Sequence, residues 1–225
     1  MDSYEIRTIA RLHCDLPDKF GLPRQAGIVE ALEGRIVFEP EYRNPDALRG
    51  IEGFSHLWLI WQFSEAVRGG FSPTVRPPRL GGNMRMGVFA TRSPFRPNAL
   101  GLSCVRLLAV ESDPELGPVL RVGGADLMDG TPIYDIKPYL PYADCKTEAK
   151  AGFAPDPGAT LTVLFAPETE EKIPAEKREA LRGVLANDPR PRYQDDPERV
   201  YGLSFAGRNV KFRVSERVLT VEEIE

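Results

Sequence analysis

His56–Phe63 reads HLWLIWQF. The apolar heart of this stretch, Leu57–Trp61, is far too short to cross a bilayer, so it is read as part of a buried strand, Leu57–Phe63. Working outward, Tyr4–Leu12 alternates apolar and polar residues, and Gly27–Val29, Arg35–Phe38 and Gly87–Thr91 are short strand candidates. Leu102–Val110 and Val119–Ala125 are two longer ones, and Asp46–Leu48 and Ser64–Val67 can each form a helical turn. Proline- and glycine-rich connections lie between them, such as FSPTVRPPRLGGN (Phe71–Asn83) and DLMDGTPIYD (Asp126–Asp135). Short strands at this spacing, without alternating helices of about 10–15 residues, predict an antiparallel sandwich or barrel over residues 1–150. Around Ala149–Pro157 the sequence loosens into a linker, which with the strand Thr160–Phe165 connects, over residues 151–167, to a different composition. Pro174–Asn187 is an amphipathic helix with Leu181, Val184 and Leu185 on one face. It is followed by a hairpin, VYGLSF–AGRN–VKFRV, and a last strand, Val218–Val221, so residues 168–225 read as a small α+β domain. The expected fold class is mainly β: an antiparallel body with this appendage.

At 225 residues the chain can bury a substantial core without disulfides or metals. Its 20 glycines and 21 prolines predict many turns and few long helices. The formal charge of −4 excludes a generally basic coat but leaves room for a basic face. Cys14, Cys104 and Cys145 are widely spaced with no CxxC pair, which predicts reduced thiols rather than a disulfide framework or a zinc site. The first residues, MDSYEIRTIARLHCDL, lack a signal-peptide pattern, so a soluble, cytoplasmic protein is expected, with no membrane partner and no metal. No G-x-G-x-x-G, Walker loop, H-E-x-x-H or G-x-S-x-G occurs, and His13 and His56 are the only histidines.

The strongest local signal is electrostatic. Ala66–Val110 holds seven arginines (Arg68, Arg76, Arg79, Arg85, Arg92, Arg96 and Arg106), no lysine and no acidic residue. Guanidinium groups fork onto phosphate oxygens and stack on bases. Arginines paired with carboxylates from elsewhere in the chain are the alternative; Phe71, Phe89 and Phe95 between them favour an anionic nucleic-acid ligand. Within this region RPPRLGGNMRMGVFATRSPFRPNALG (Arg76–Gly101) reads as a loop held in one conformation by its prolines. A second cluster, DLMDGTPIYDIKPYLPYAD (Asp126–Asp144), gathers Asp126, Asp129, Asp135, Lys137, Tyr139 and Tyr142. Such a set can orient amines and hydroxyls or accept a proton; turn aspartates with core tyrosines would have the same composition. A third, KFGLPRQ (Lys19–Gln25), is a short polar turn.

Taken in order, KFGLPRQAG, FSHLWLIWQF, PTVRPPRLGGNMRMGVFATRSPFRPN, DLMDGTPIYDIKPYLPYAD and DPRPRY resemble the TsaA-like (YaeB/TrmO) family over nearly the whole chain. The resemblance implies a β-barrel, S-adenosylmethionine-dependent tRNA methyltransferase that acts on the exocyclic nitrogen of the adenosine at tRNA position 37, next to the anticodon, where that nitrogen already carries a threonylcarbamoyl group. It also implies a homodimer with the cofactor near the subunit interface. Carried onto this chain, the cofactor contacts would be Pro23, Arg24, Gln25, Ser64, Glu65, Arg92, Leu102 and the turn Asp126, Leu127, Met128 and Asp129. Asp129, Asp135 or Tyr139 would help remove the proton of the acceptor nitrogen or orient the urea, with Lys137 near the threonyl carboxylate. Arg76, Arg79, Arg85 and Arg96, with Arg190 and Arg192, would contact tRNA. The chain departs from the family pattern at Ser64-Glu65, where a His-Gln pair is expected, and at Asn98-Ala99-Leu100-Gly101, where N-P-I-G is usual. The Ser64 departure removes a ring that could stack or hydrogen-bond. The rival readings are a non-catalytic RNA-binding barrel and a methyltransferase acting on a small anionic substrate.

Overall fold

The computed structural model describes residues 3–66, 71–190 and 196–225. In chain order its elements are β1 (Ala10–Cys14), β2 (Glu33–Phe38), β3 (His56–Gln62), β4 (Thr74–Val75), β5 (Met86–Gly87), β6 (Leu100–Asp113), β7 (Gly117–Gly123), β8 (Pro132–Pro138), α1 (Pro141–Asp144), β9 (Thr162–Phe165), α2 (Ala175–Ala186), β10 (Tyr201–Phe205), β11 (Arg208–Ser215) and β12 (Val218–Ile224). Six strands close into a barrel in the order β1-β2-β7-β6-β3-β8, each antiparallel to its neighbours. Of the two architectures the sequence allowed, the barrel is the one formed. Alternation decides which side chains fill it: Leu12, Ile36, Leu57, Leu59, Val105, Leu120, Val122 and Ile133 are all fully buried or nearly so.

Several elements differ from the sequence expectation. β8, which joins β1 to β3 and closes the ring, lies partly inside DLMDGTPIYD, read above as a connection. Pro132 opens it, a position where proline disturbs the ladder least, and its polar Asp135 and Lys137 disguise the alternation. Tyr4–Ile9 is not strand: Tyr4 and Ile6 are 87% and 56% exposed, so the alternation there has no core to serve. Gly27–Val29 is turn, with Gly27 at φ +80° and its N–H donating to the Gly124 carbonyl. Of Gly87–Thr91 only Gly87 is in a strand, and Val88–Ala90 winds into a 3-10 turn.

The second sheet runs β10-β11-β12-β9, with β9 parallel to β12. The strand expected in the connecting segment is therefore a member of this C-terminal sheet. The hairpin β10–β11 turns through only Ala206 and Gly207, at φ +51° and +74°, tighter than the four-residue AGRN loop expected. α2 lays Leu181, Val184 and Leu185 on a core that also contains Leu16, Val29 and Leu32 from the segment joining β1 to β2. Close approach fixes that union. A Cβ on Gly183 would lie 2.6 Å from a Val29 methyl, and Lys177 Nζ meets the Asp15 carboxylate at 2.5 Å. The C-terminal part thus grips the segment that carries Pro23, Arg24 and Gln25.

Candidate functional site

That gripped segment forms one wall of a cavity of about 390 Å³. Leu22, Pro23, Arg24 and Gln25 face Trp58, Trp61 and Phe63 from the end of β3, Leu100–Leu102 from the start of β6, Thr91, Arg92 and Arg96 from the arginine loop, and Asp126. Trp61 and Phe63 meet edge to face, 4.3 Å between centroids. The Trp61 ring lies flat over Gly101, where a Cβ would come within 2.2 Å of it, so this position accepts only glycine. Trp61 Nε1 donates to Ser103 Oγ at 2.9 Å, and Ser103 donates onward to Asp126 Oδ1 at 2.5 Å. Burial raises the pKa of the Asp126 carboxyl above its ordinary value, against the opposing pull of the Ser103 hydroxyl. Arg92 donates to the Gln25 side-chain carbonyl, tying the arginine loop to the first turn. The cavity therefore combines aromatic walls, one carboxylate and one guanidinium–amide pair.

A second cavity, about 960 Å³, adjoins it; Thr91, Arg92 and Arg96 line both. Its other walls include Phe71, Phe95, Phe153, Arg76 and Arg85, and among the described residues no acidic one lines it. Few of the loop's arginines are spent on carboxylates. Arg96 donates to the carbonyls of Thr91 (2.7 Å) and Val88 (3.3 Å) and lies over the Phe89 ring at 5.9 Å, so it braces the loop. Arg85 Nη1 donates to Thr74 Oγ1 at 3.1 Å. Among the described residues only Arg79 of this segment forms an ion pair, with Asp156 of the connecting segment at 2.8 Å. The alternative of arginines paired throughout with remote carboxylates does not hold. Arg68 lies outside the described residues.

The expected cofactor contacts divide. Pro23, Arg24, Gln25, Arg92, Leu102 and Asp126 line the smaller cavity, whereas Leu127 is in the barrel core and the Met128 carbonyl accepts from Thr131. Ser64 and Glu65 form a 3-10 turn beyond β3, with Glu65 4.0 Å from Lys19 Nζ. Asp129 faces β1, accepting from the Cys14 N–H at 3.1 Å and standing 3.2 Å from His13 Nδ1. Asp135 and Lys137 pair with each other at 2.9 Å on the outer face of β8, and Tyr139 packs against Trp58 at 5.8 Å. None of these four lines either cavity. Arg190 is held by Asp188 in a two-pronged contact (2.9 and 3.1 Å) beside a third cavity, and Arg192 lies outside the described residues. Sequence reasoning missed Trp61, Phe63, Gly101 and Ser103. The one available signal was the aromatic end of the apolar run facing the glycine of NALG.

The residue pattern matches two family models: the tRNA-methyltransferase O N-terminal domain over residues 11–145, and the TrmO C-terminal domain over residues 158–225. The chain belongs to the tRNA-methyltransferase O family. It is 42% identical over 234 aligned positions to an Escherichia coli (strain K12) protein named tRNA (adenine(37)-N6)-methyltransferase, covering 100% of this chain and 99% of that one. A protein of the same name from Eikenella corrodens is 47% identical over 172 positions, 76% of this chain and 97% of its own. The crystal structure of TrmO from Pseudomonas aeruginosa superposes with a TM-score of 0.83 at 29% identity, over 100% of this chain and 99% of that one. Membership of the TrmO family agrees with the mainly β fold and with a site built without a glycine-rich phosphate loop.

Proposed function

We propose that this chain is an S-adenosylmethionine-dependent methyltransferase that modifies N6 of the adenosine at tRNA position 37, on a base already bearing a threonylcarbamoyl group. The observation that carries this reading is the adjacency of the two cavities across Thr91, Arg92 and Arg96: one fits a compact zwitterionic cofactor, the other a base with an anionic attachment. About 390 Å³ lies within the range of small-ligand sites. Asp126 supplies negative charge for a sulfonium, Arg92 and Gln25 suit an amino-acid head group, and Trp61 and Phe63 give flat apolar surface. When bound, S-adenosylmethionine brings a methyl group on a positively charged sulfur, already activated for displacement. The chain's own work is then to align the acceptor nitrogen, exclude water and dispose of its proton.

For that proton we assign Asp135 or Tyr139, or Asp129 from the turn below, in a site completed by a second subunit. Ile60 on β3 is register-paired with Leu102 on one side and Asp135 on the other. Leu100 and Leu102, 37% and 56% exposed, stand at the rim of the smaller cavity, and a homodimer covering them would set the cofactor near the interface. If Asp129→Asn and Asp135→Asn both keep near-full turnover with saturating tRNA, neither carboxylate is the base and alignment alone carries the reaction. Arg76, Arg79 and Arg85 are assigned to the tRNA, with Arg96 shaping the loop that presents them. The protein works where tRNA is, in the cytoplasm.

The test is direct. Purified protein, labelled S-adenosylmethionine and tRNA containing threonylcarbamoyladenosine should yield the methylated nucleoside by mass spectrometry. Binding of both partners without transfer would instead favour a non-catalytic RNA-binding barrel.

A further inference from the structure

β4 and β5 form a two-stranded ladder in which Thr74 pairs with Gly87 and Val75 with Met86. The next residue on each strand beyond the last pair is an arginine: Arg76 on one, Arg85 on the other. Like charges at facing ladder positions repel, and among the described residues no acidic side chain lines the cavity they share. Arg85 is steadied by the neutral Thr74 hydroxyl, and no carboxylate is paired with either guanidinium among the described residues. Both side chains line the larger cavity, whose walls include Phe71, Phe95 and Phe153. At about 960 Å³ the space is far larger than a phosphate needs and falls at the upper end of small-ligand sites. A backbone phosphate would also meet the arginines at an open surface, not between phenylalanine rings. The combination suits an aromatic base that carries its own anion.

We propose that Arg76 and Arg85 form a two-guanidinium clamp for the carboxylate at the end of the base's substituent, and that this clamp selects which adenosines are methylated. The proposal rests on the function given above and deepens it. Two guanidiniums on one carboxylate give charge-assisted, forked hydrogen bonds that an unmodified or uncharged base cannot make. Lys137 is not needed for this role, since its charge is already matched by Asp135 at 2.9 Å outside both cavities.

The experiment uses two anticodon stem-loops that differ only in the substituent: the free acid, and its uncharged methyl ester. The wild-type protein should favour the acid by about 30-fold in both Kd and kcat/KM, the size expected for charge-assisted hydrogen bonds. In Arg76→Gln/Arg85→Gln that preference should fall to within about threefold of unity, chiefly through loss of the acid. Arg85→Lys, which keeps the charge but not the fork, should give an intermediate preference and guards against a folding defect in the double variant. Equal wild-type handling of acid and ester overturns the clamp while leaving the methyltransferase reading intact. Equal weakening of both substrates in the double variant, with the preference retained, also overturns it, because the arginines would then be general phosphate contacts. A binding preference for the acid without methyl transfer to either substrate would uphold the clamp and defeat the methyltransferase reading.

Discussion

The arginine loop and five cations of the C-terminal part of the chain treat surface charge in opposite ways. Around α2 and the second sheet, Lys177, Arg182, Arg190, Lys211 and Arg213 each meet a carboxylate. In the loop, Arg76, Arg85, Arg92 and Arg96 form no ion pair among the described residues. Their guanidiniums, where held at all, are held by hydroxyls, carbonyls and an amide. The difference separates charge that is locally neutralised from charge left uncompensated by carboxylates, as the proposed anion-binding role requires. Exposed pairs of the first kind contribute little to stability; uncompensated arginines in a rigid frame raise the local potential and draw anions.

The comparison breaks most visibly if a carboxylate is placed on each side. Arg85→Glu should weaken tRNA binding by about 100-fold at low salt, whereas Lys211→Glu should leave it within about threefold; filter binding would check both. A comparable loss from Lys211→Glu would erase the distinction. Next comes packing. Gly183→Leu drives a side chain into Val29 and should cost about 1–3 kcal/mol, lowering Tm by several degrees. It should also weaken cofactor binding, because the Val29 segment carries Arg24 and Gln25, and a variant with lowered Tm but unchanged Kd would uncouple the two regions.

Acid–base behaviour sharpens the same contrast with opposite signs. Asp126, desolvated beside the smaller cavity, has a folded-state pKa raised above 3.8, so the native state holds more protons in that window and stability falls as pH rises through it. Glu170, hydrogen-bonded to Arg182, has its pKa lowered below 4.5, so its contribution is present above that value and is lost as pH falls through the folded pKa. Denaturant titrations of Asp126→Asn and Glu170→Gln against pH should give difference curves of opposite slope, and slopes of the same sign would contradict the burial of Asp126. The smallest effect concerns thiols. Burial pushes the Cys14 thiol up to about 11, whereas Cys145 is exposed, so alkylation near neutral pH should label Cys145 and spare Cys14 until the protein unfolds.

Short apolar runs bounded by turn residues announce strands: β2, β3, β6 and β7 are close to where those runs lie, whereas the alternation of Tyr4–Leu12 gave a strand only at its end. β8 escaped because its inward positions are flanked by Pro132, Asp135 and Lys137, a composition shared with turns. The lack of any carboxylate in the arginine loop was readable from composition alone. The division of labour inside it was not, since Arg96 bracing carbonyls, Arg79 taken by Asp156 and Arg85 held by Thr74 depend on contacts across the fold. Trp61, Ser103 and Asp126 likewise form a chain only once β3, β6 and the turn after β7 come together. Asp129 and Asp135 were attractive as reactive carboxylates, yet each already accepts a backbone N–H, and His13 stands beside the first and Lys137 beside the second.

If the acid-free arginine loop is the nucleic-acid face, the salt dependence of tRNA affinity will show it. Replacing Arg76 and Arg79 together by alanine should weaken binding and flatten the slope of log Kd against log salt by about one to two anionic contacts, a phosphate contact being worth roughly 0.9 in slope on a duplex and roughly 0.7 on a single strand. The same measurement on Arg182→Ala should return the wild-type slope. An unchanged slope in the loop variant, or an equal flattening in Arg182→Ala, would contradict the account.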